Sequence, residues 1–355
     1  MSKKSWRGDL NFRSDNRKSK TCPELSRRIE NLKWVGIFAI ALTFAFGGVV
    51  ARAQQPTKIP RIGYVGPVTT DPRTASFRQG LRDLGYTEDK NILVEYRYVG
   101  GKLDRYPDIV AELVQLNVDV LVAVPFQAIL AAKQTTKTIP IVMVTTLDPV
   151  ATGIVDSLAR PGGNITGVAR LTRVLGARRL ELIKETAPTI SRVGVLWAAD
   201  DEGSAIGFKD YEAAAGALRI SLQSLAVRGP NPDLESAFEE VAKGPPGALI
   251  AIRGGLLNRY QKRIADLAIE NRLPSMFEGN DFVNAGGLMS YTTDDDESFK
   301  RAAVYMDKIL KGAKPADLPV EQPKKFEFII NLKAAKQIGL TIPPNVLVRA
   351  DRVIR

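Results

Sequence analysis

The sequence predicts an α/β protein made of two doubly wound parallel-sheet lobes joined by a three-crossing hinge. Three observations carry this. From residue 60 onward, short β-rich runs alternate with amphipathic segments, the rhythm of repeated β-α units. Runs such as VDVLVAV, PIVMV and GALIAI are apolar throughout, as strands are when helices cover both faces of their sheet. The rhythm comes in two successive sets, and 355 residues suffice for two such units.

The elements follow in order. The run RIGYVG (Arg61–Gly66) is the first strand, and a helix over Thr74–Leu84 closes at Gly85, with Phe77, Leu81 and Leu84 on one face. Strand Ile92–Val99, helix 103–116 and strand Val118–Val124 come next. A short helix near 128–134, strand Ile139–Thr145, helix 153–159 and strand Ile165–Val168 complete the first set. The second set pairs helix 175–186 with strand Arg192–Trp197, and helix 204–218 with strand Ser221–Val227. It then pairs helix Pro232–Ala242 with strand Ala248–Ile252, and helix 258–270 with strand Ser275–Phe277. A strand at Gly287–Tyr291, a helix Glu297–Leu310, a strand Glu327–Asn331, a helix Leu332–Ile338 and the run Leu347–Ile354 finish the chain. If the helix 297–310 returns to the first lobe, the lobes are joined three times. The expected division is 54–168 plus 290–320 for lobe one and 169–289 plus 321–355 for lobe two.

The start of the chain reads as an export signal. Basic residues up to Lys33 precede an apolar run, Trp34–Ala51, that ends at Ala51-Arg52-Ala53. That order of features predicts cleavage before Gln54. The run contains Gly36, Thr43, Gly47 and Gly48, and it sits at the short end of the roughly 17–25 residues that a spanning helix needs. Ser26-Arg27-Arg28 matches part of a twin-arginine signal, but Glu30 and Asn31 replace its apolar positions, so the export route stays open. The expected location is the periplasm.

Charge and composition then exclude whole classes of function. Residues 1–53 hold eleven Lys and Arg against four Asp and Glu, seven of the eleven net positive charges, which leaves +4 for the rest. The basic excess is mostly targeting sequence, so nucleic acid is not an expected partner. Cys22 is the only cysteine and precedes the apolar core, and there is no histidine. After cleavage the chain can form no disulfide and no thiolate or imidazole metal site. Ser–His and Cys–His catalysis are excluded with them. No GxGxxG, P-loop, GxSxG or SxxK stands in the chain. We expect no enzyme, no cofactor, no metal and no catalytic residue.

Long motifs carry a family resemblance. GGLMSY (Gly286–Tyr291) and AAVYMDKILKGAKPADLPVEQPKKFEFIINLKAAKQIGLTIPPNVLVRAD (Ala302–Asp351) closely resemble the substrate-binding proteins of ABC transporters, in the tryptophan/tyrosine-like subgroup. PGGNITGV (Pro161–Val168), LDPVATG (Leu147–Gly153) and LGY (Leu84–Tyr86) extend the likeness over residues 60–355. It implies a type I periplasmic-binding fold whose lobes close over a small molecule, an amino acid or related organic solute. It also implies delivery to an ABC permease in the inner membrane, by a monomer. A periplasmic ligand sensor signalling to a membrane receptor is the alternative on the same fold. Two departures bear on the ligand: Thr292-Thr293 follow Tyr291 where relatives place glycine, and Arg253-Gly254-Gly255 stand where relatives often have Asp-Pro.

Ligands of such sheets bind at the carboxyl ends of the strands. That rule selects Thr69, Thr70, Phe126, Gln127, Thr146 and Asp148 from lobe one. From lobe two it selects Asp200 and Asp201, Arg253 and Glu278, with Tyr291 at the hinge. Threonine hydroxyls and helix N-termini suit a carboxylate, as does Arg253 in bidentate geometry. Phe126 or Tyr291 would stack on a planar ligand, and Asp200 or Glu278 would meet an ammonium. Competing local roles are clear for some: Asp148 before Pro149 shapes a turn, and Asp200 or Asp201 caps the helix that follows. Asp294-Asp295-Asp296 read as the cap and first turn of a helix.

Overall fold

Apolar continuity builds the two sheets. The computed structural model describes residues 58–69, 71–171, 175–243, 247–323 and 325–355; the expected export signal and Thr70 lie outside them. In the first sheet, β1 (Arg61–Gly66), β2 (Leu93–Tyr98), β3 (Val120–Ala123), β4 (Ile141–Thr145) and β5 (Ile165–Ala169) are all parallel, in the order β2-β1-β3-β4-β5. Helices Tyr106–Gln115 and Phe126–Thr135 cover one face through Ile109, Leu113 and Ile129. Helices Pro72–Asp83 and Asp295–Leu310 cover the other through Phe77, Leu81, Phe299 and Met306.

The second sheet contains β6 (Arg192–Ala198), β7 (Ser221–Val227), β8 (Gly247–Ala251), β9 (Ser275–Phe277), β10 (Met289–Thr293), β11 (Phe326–Asn331) and β12 (Arg352–Ile354). Its order is β12-β11-β10-β9-β8-β6-β7. It departs from a wholly parallel sheet at one place, where β10 and β11 run antiparallel with Tyr291 opposite Phe328. Helices Gly176–Thr186 and Glu202–Ala215 pack on one face, and Leu234–Ala242 with Gln261–Glu270 on the other. Among the described residues no helix is long and apolar enough to cross a membrane.

The chain passes between the sheets three times. It leaves the first sheet after β5 and enters helix Gly176–Thr186. It returns after β10, at Asp294, whose side chain caps helix Asp295–Leu310 by accepting from the Glu297 N–H at 3.1 Å. It goes back after Glu321, which lies along the edge of β5: its N–H donates to the Gly167 carbonyl and its carbonyl accepts from Ala169, both at 2.9 Å.

The second crossing is anchored by close packing. A Cβ on Gly80 would lie 2.9 Å from both Lys300 Cα and Ala303 Cβ, so helices Pro72–Asp83 and Asp295–Leu310 touch backbone to backbone there. Alanine at Gly80 adds about 0.8–1.0 kcal/mol of helix propensity, but overpacking costs about 1–3 kcal/mol. Gly80→Ala is expected to lower stability by roughly 1 kcal/mol, and Gly80→Val by more, in urea denaturation.

Local chemistry moves several elements from their expected bounds. The first helix begins at Pro72 because Asp71 caps it, accepting from Arg73 N–H at 3.0 Å, with proline at N1. The expected helix 153–159 does not form, and turns take its place. Asp148 draws the Val150 and Ala151 N–H groups into a turn, Gly153 adopts φ +67°, and Lys133 Nζ binds the carbonyls of Gly153 and Ile154. Backbone carbonyls that would have made helix bonds are thus taken. Asn280–Asn284 and Pro344–Leu347 are short helices not expected from the sequence, and the final run Leu347–Ile354 ends in β12.

Candidate functional site

Strand order locates the site. The order of the strands reverses between β1 and β3 in the first sheet and between β6 and β8 in the second. The crevices beyond those carboxyl ends are where α/β sheets bind ligands. They meet here around a cavity of about 70 Å³. Its walls take Pro67 from the end of β1, Val124 to Gln127 from β3, Thr146 from β4 and Arg170 from β5. Opposite stand Asp201 and Gly203 after β6, and Arg253, Gly254 and Gly255 after β8. Arg73, Leu103, Tyr106, Val144 and Asn258 complete it.

Close approach explains the double glycine after Arg253. A Cβ at Gly254 would lie 2.8 Å from Asp201 Oδ2 and 3.0 Å from Ser204 Oγ. Asp201 caps helix Glu202–Ala215 through Gly203 N–H at 2.9 Å and accepts from Ser204 Oγ at 3.0 Å. The same carboxylate accepts from Gln127 Nε2, which comes from the first sheet's helix Phe126–Thr135. Asp201 therefore ties the two lobes across the cavity.

A charge cluster backs the wall residues Arg73, Arg170 and Arg253. Arg73 grips Asp71 in a bidentate pair, with both contacts at 2.6 Å. Burial works against the Arg73 charge, but Asp71 outweighs it and raises the guanidinium pKa. Asp295, in the second crossing, pairs with Arg170 from the end of β5 and with Arg253 from the other lobe. Arg253 also reaches Asp281 at 2.6 Å. Burial pushes the Asp295 carboxyl upward, yet Arg170, Arg253 and Arg73 together draw it down to about 2. Arg170 is lowered to about 10 by burial, against the pull of Asp295 and with Arg253 and Arg73 adding to the fall. It remains cationic near neutrality.

Five of the sequence-selected residues line the cavity: Phe126, Gln127, Thr146, Asp201 and Arg253. The other described ones do not. Thr69 is exposed away from the walls. Asp148 is occupied by its turn, as its position before Pro149 suggests. Asp200 points outward to Arg228 at 3.0 Å and to Gly229 N–H at 2.8 Å, so its neighbour Asp201 faces the cavity instead. Glu278 is 1% exposed, and it accepts from Arg179 Nη1, Tyr211 Oη and Arg253 N–H, each at 3.0 Å. Tyr291 lies on β10 with its ring against Phe326 and Phe328, and its carbonyl accepts from Arg179 Nε at 2.8 Å.

The structure adds Arg73, Tyr106, Arg170 and Asn258 to the walls. Arg170 directly follows β5, so the strand-end rule reaches it once that strand is included. Arg73 is signalled by Asp71-Pro72, which starts a helix at the end of β1. Tyr106 and Asn258 follow loops whose path carries no local signal.

Comparison with known proteins identifies the family. The tyrosine-binding protein of Clostridioides difficile (strain R20291) is 24% identical over 270 residues, covering 76% of this chain and 77% of that protein. A conserved domain protein from Vibrio cholerae O1 biovar El Tor matches in structure with a TM-score of 0.76 and 29% identity, over 83% of this chain and 100% of the other. An ABC domain from Streptococcus pneumoniae, solved in complex with L-Trp, matches with a TM-score of 0.74 and 24% identity, over 83% and 99%. A family model described as ABC transporter substrate binding protein matches residues 67–354, and the chain belongs to that family.

Proposed function

We propose that this protein captures an amino acid or a related organic solute between its lobes, outside the cytoplasm, and delivers it to an ABC importer. One observation carries the reading: the strand ends of both sheets converge on one cavity whose walls offer a buried guanidinium, Arg170, and a carboxylate, Asp201. Paired donors and acceptors of that kind suit a zwitterion. The tyrosine-binding relative and the L-Trp complex support an amino-acid class. Phe126, Gln127, Thr146 and Arg253 would contact the solute, together with Arg73, Tyr106, Arg170 and Asn258. As a substrate-binding protein the chain is not an enzyme.

Capture works by population shift. The ligand favours the closed arrangement only by as much as it binds that arrangement better than the open one. The bodies that move would be the two sheets with their helices, bending at the three crossings near 169, 294 and 321. The signal in residues 1–53 would bring the chain to the periplasm, where a permease receives the solute.

Thermal unfolding against amino acids, aromatic acids, small carboxylates and purines tests this. A ligand at about 100 times its dissociation constant adds roughly 2.7 kcal/mol, a Tm rise of a few degrees for a chain of this size. A saturable rise with an amino acid, recovered unchanged, is the expected result. A rise confined to purines, or chemical conversion of the ligand, would refute the reading.

A further inference from the structure

The lobes touch each other directly, and they do so far from the hinge. Strand order sets that distance. β1 stands three positions from β5, and β6 three positions from β10, the strands after which the chain first crosses and then returns. At about 4.8 Å between neighbouring strands, each lies about 14 Å from its crossing. Contacts at the ends of β1 and β6 are therefore among those that bending at the crossings would part most.

Those contacts form one rim. Helix Glu202–Ala215 follows β6 and turns Tyr211 and Ala215 into the core of the second lobe. Ile206, on the same helix, packs instead against the core of the first lobe. A Cβ on Gly203 would lie 3.7 Å from Phe126 Cβ and 3.9 Å from Leu147 Cδ1, so the first turn of that helix rests on the first lobe. Asp201, at its cap, accepts from Gln127 Nε2. Further along the rim, a Cβ on Gly255 would lie 3.3 Å from Pro67 Cβ, and Arg259 Nη1 donates to the Gly100 carbonyl at 3.4 Å. Ile206 turns away from its own lobe's core, so its apolar surface gains cover from the other lobe, and that burial favours contact.

We propose that this rim is a latch: Ile206 and the Gln127–Asp201 bond hold the lobes together through the chain's own contacts. A solute then needs to supply only the remainder of the closing free energy, which raises its apparent affinity. The inference rests on the lobe closure of the proposed capture, but not on the class of solute. Pro67→Cys combined with Gly255→Cys tests it, with Cys22→Ser leaving that pair as the only thiols. Their Cβ atoms, 3.3 Å apart, would stand just under the about 3.5–4.5 Å that a disulfide spans. The purified protein is equilibrated with reduced and oxidised glutathione, and mass spectrometry reads the fraction cross-linked. Most molecules should be cross-linked. Ile206→Asp brings a carboxylate into the apolar contact, and it should lower the effective concentration of one thiol at the other by about 10-fold. Gln127→Ala leaves the apolar contact intact and should lower it by about 3- to 10-fold. Circular dichroism checks that each variant folds; if Ile206→Asp does not, Gln127→Ala and Ile206→Ala decide the matter. A pair that stays reduced would overturn the latch, while a Tm rise with solute would still decide capture. Effective concentrations unchanged in the Ile206 and Gln127 variants would also overturn it, since the lobes would then be held by something other than this rim.

Discussion

Asp295→Asn is expected to lower stability by about 2–4 kcal/mol and to favour separated lobes. The lower end follows from the carboxyl's fall from 3.8 to about 2, since each pKa unit is worth about 1.4 kcal/mol. The upper end reflects the about 3–5 kcal/mol typical of breaking a buried ion pair. We favour the lower half, because Arg253 keeps Asp281 at 2.6 Å and only Arg170 loses its carboxylate. The sign with pH is fixed by the depressed value. The contribution of Asp295 is complete above its unfolded pKa, near 4, and is lost as pH falls through about 2. Wild-type stability should therefore decline between pH 4 and 2 by about 2 kcal/mol more than that of Asp295→Asn. Urea denaturation at pH 7, 4 and 2.5 measures it, and small-angle scattering reads the lobe separation. Equal pH slopes in the two proteins would show that Asp295 is not the group that holds this junction.

The same residue shows what the sequence could and could not disclose. Asp294-Asp295-Asp296 was legible as a helix start, and the structure gives the cap to Asp294 and a Ser76 contact to Asp296. Nothing local indicates that Asp295 faces two arginines lying 125 and 42 positions away in the chain. The lobes themselves were readable because strands buried on both faces have no polar alternation to confuse them: β3, β4 and β8 are buried at every position. The site was readable only to the level of a strand end. A rule that selects positions does not select side-chain direction, so it could not separate Asp200 from Asp201. It named Glu278 because Glu278 follows β9, but could not see that Arg179 lay behind it. The expected helix 153–159 failed for a related reason. Its apolar spacing is real, and Ile154 and Val155 are buried, but turn chemistry at Asp148 and Gly153 takes the backbone elsewhere.

Glu278→Gln is expected to be the other severe substitution. Arg179 is wholly buried and Glu278 is 1% exposed, so a neutral residue at 278 strands a guanidinium in the core of the second lobe. Breaking such a pair costs about 3–5 kcal/mol. Arg179 also holds the Tyr291 carbonyl at 2.8 Å, and Glu278 holds the Arg253 N–H at 3.0 Å. The network thus joins helix Gly176–Thr186, the strand before the second crossing and the cavity loop. Removing the charges together should hurt less, because well-packed apolar residues replace a buried ion pair at little cost. Arg179→Met with Glu278→Met and Tyr211→Phe should recover much of the loss, though not all. The bonds from Arg179 to the Tyr291 carbonyl and from the Arg253 N–H to Glu278 would still be lost, at about 1–3 kcal/mol each. If the triple variant proves as unstable as Glu278→Gln in urea, the pair contributes through packing and not through charge. If it regains stability but binds solute more weakly, the N–H of Arg253 is what Glu278 secures for the site.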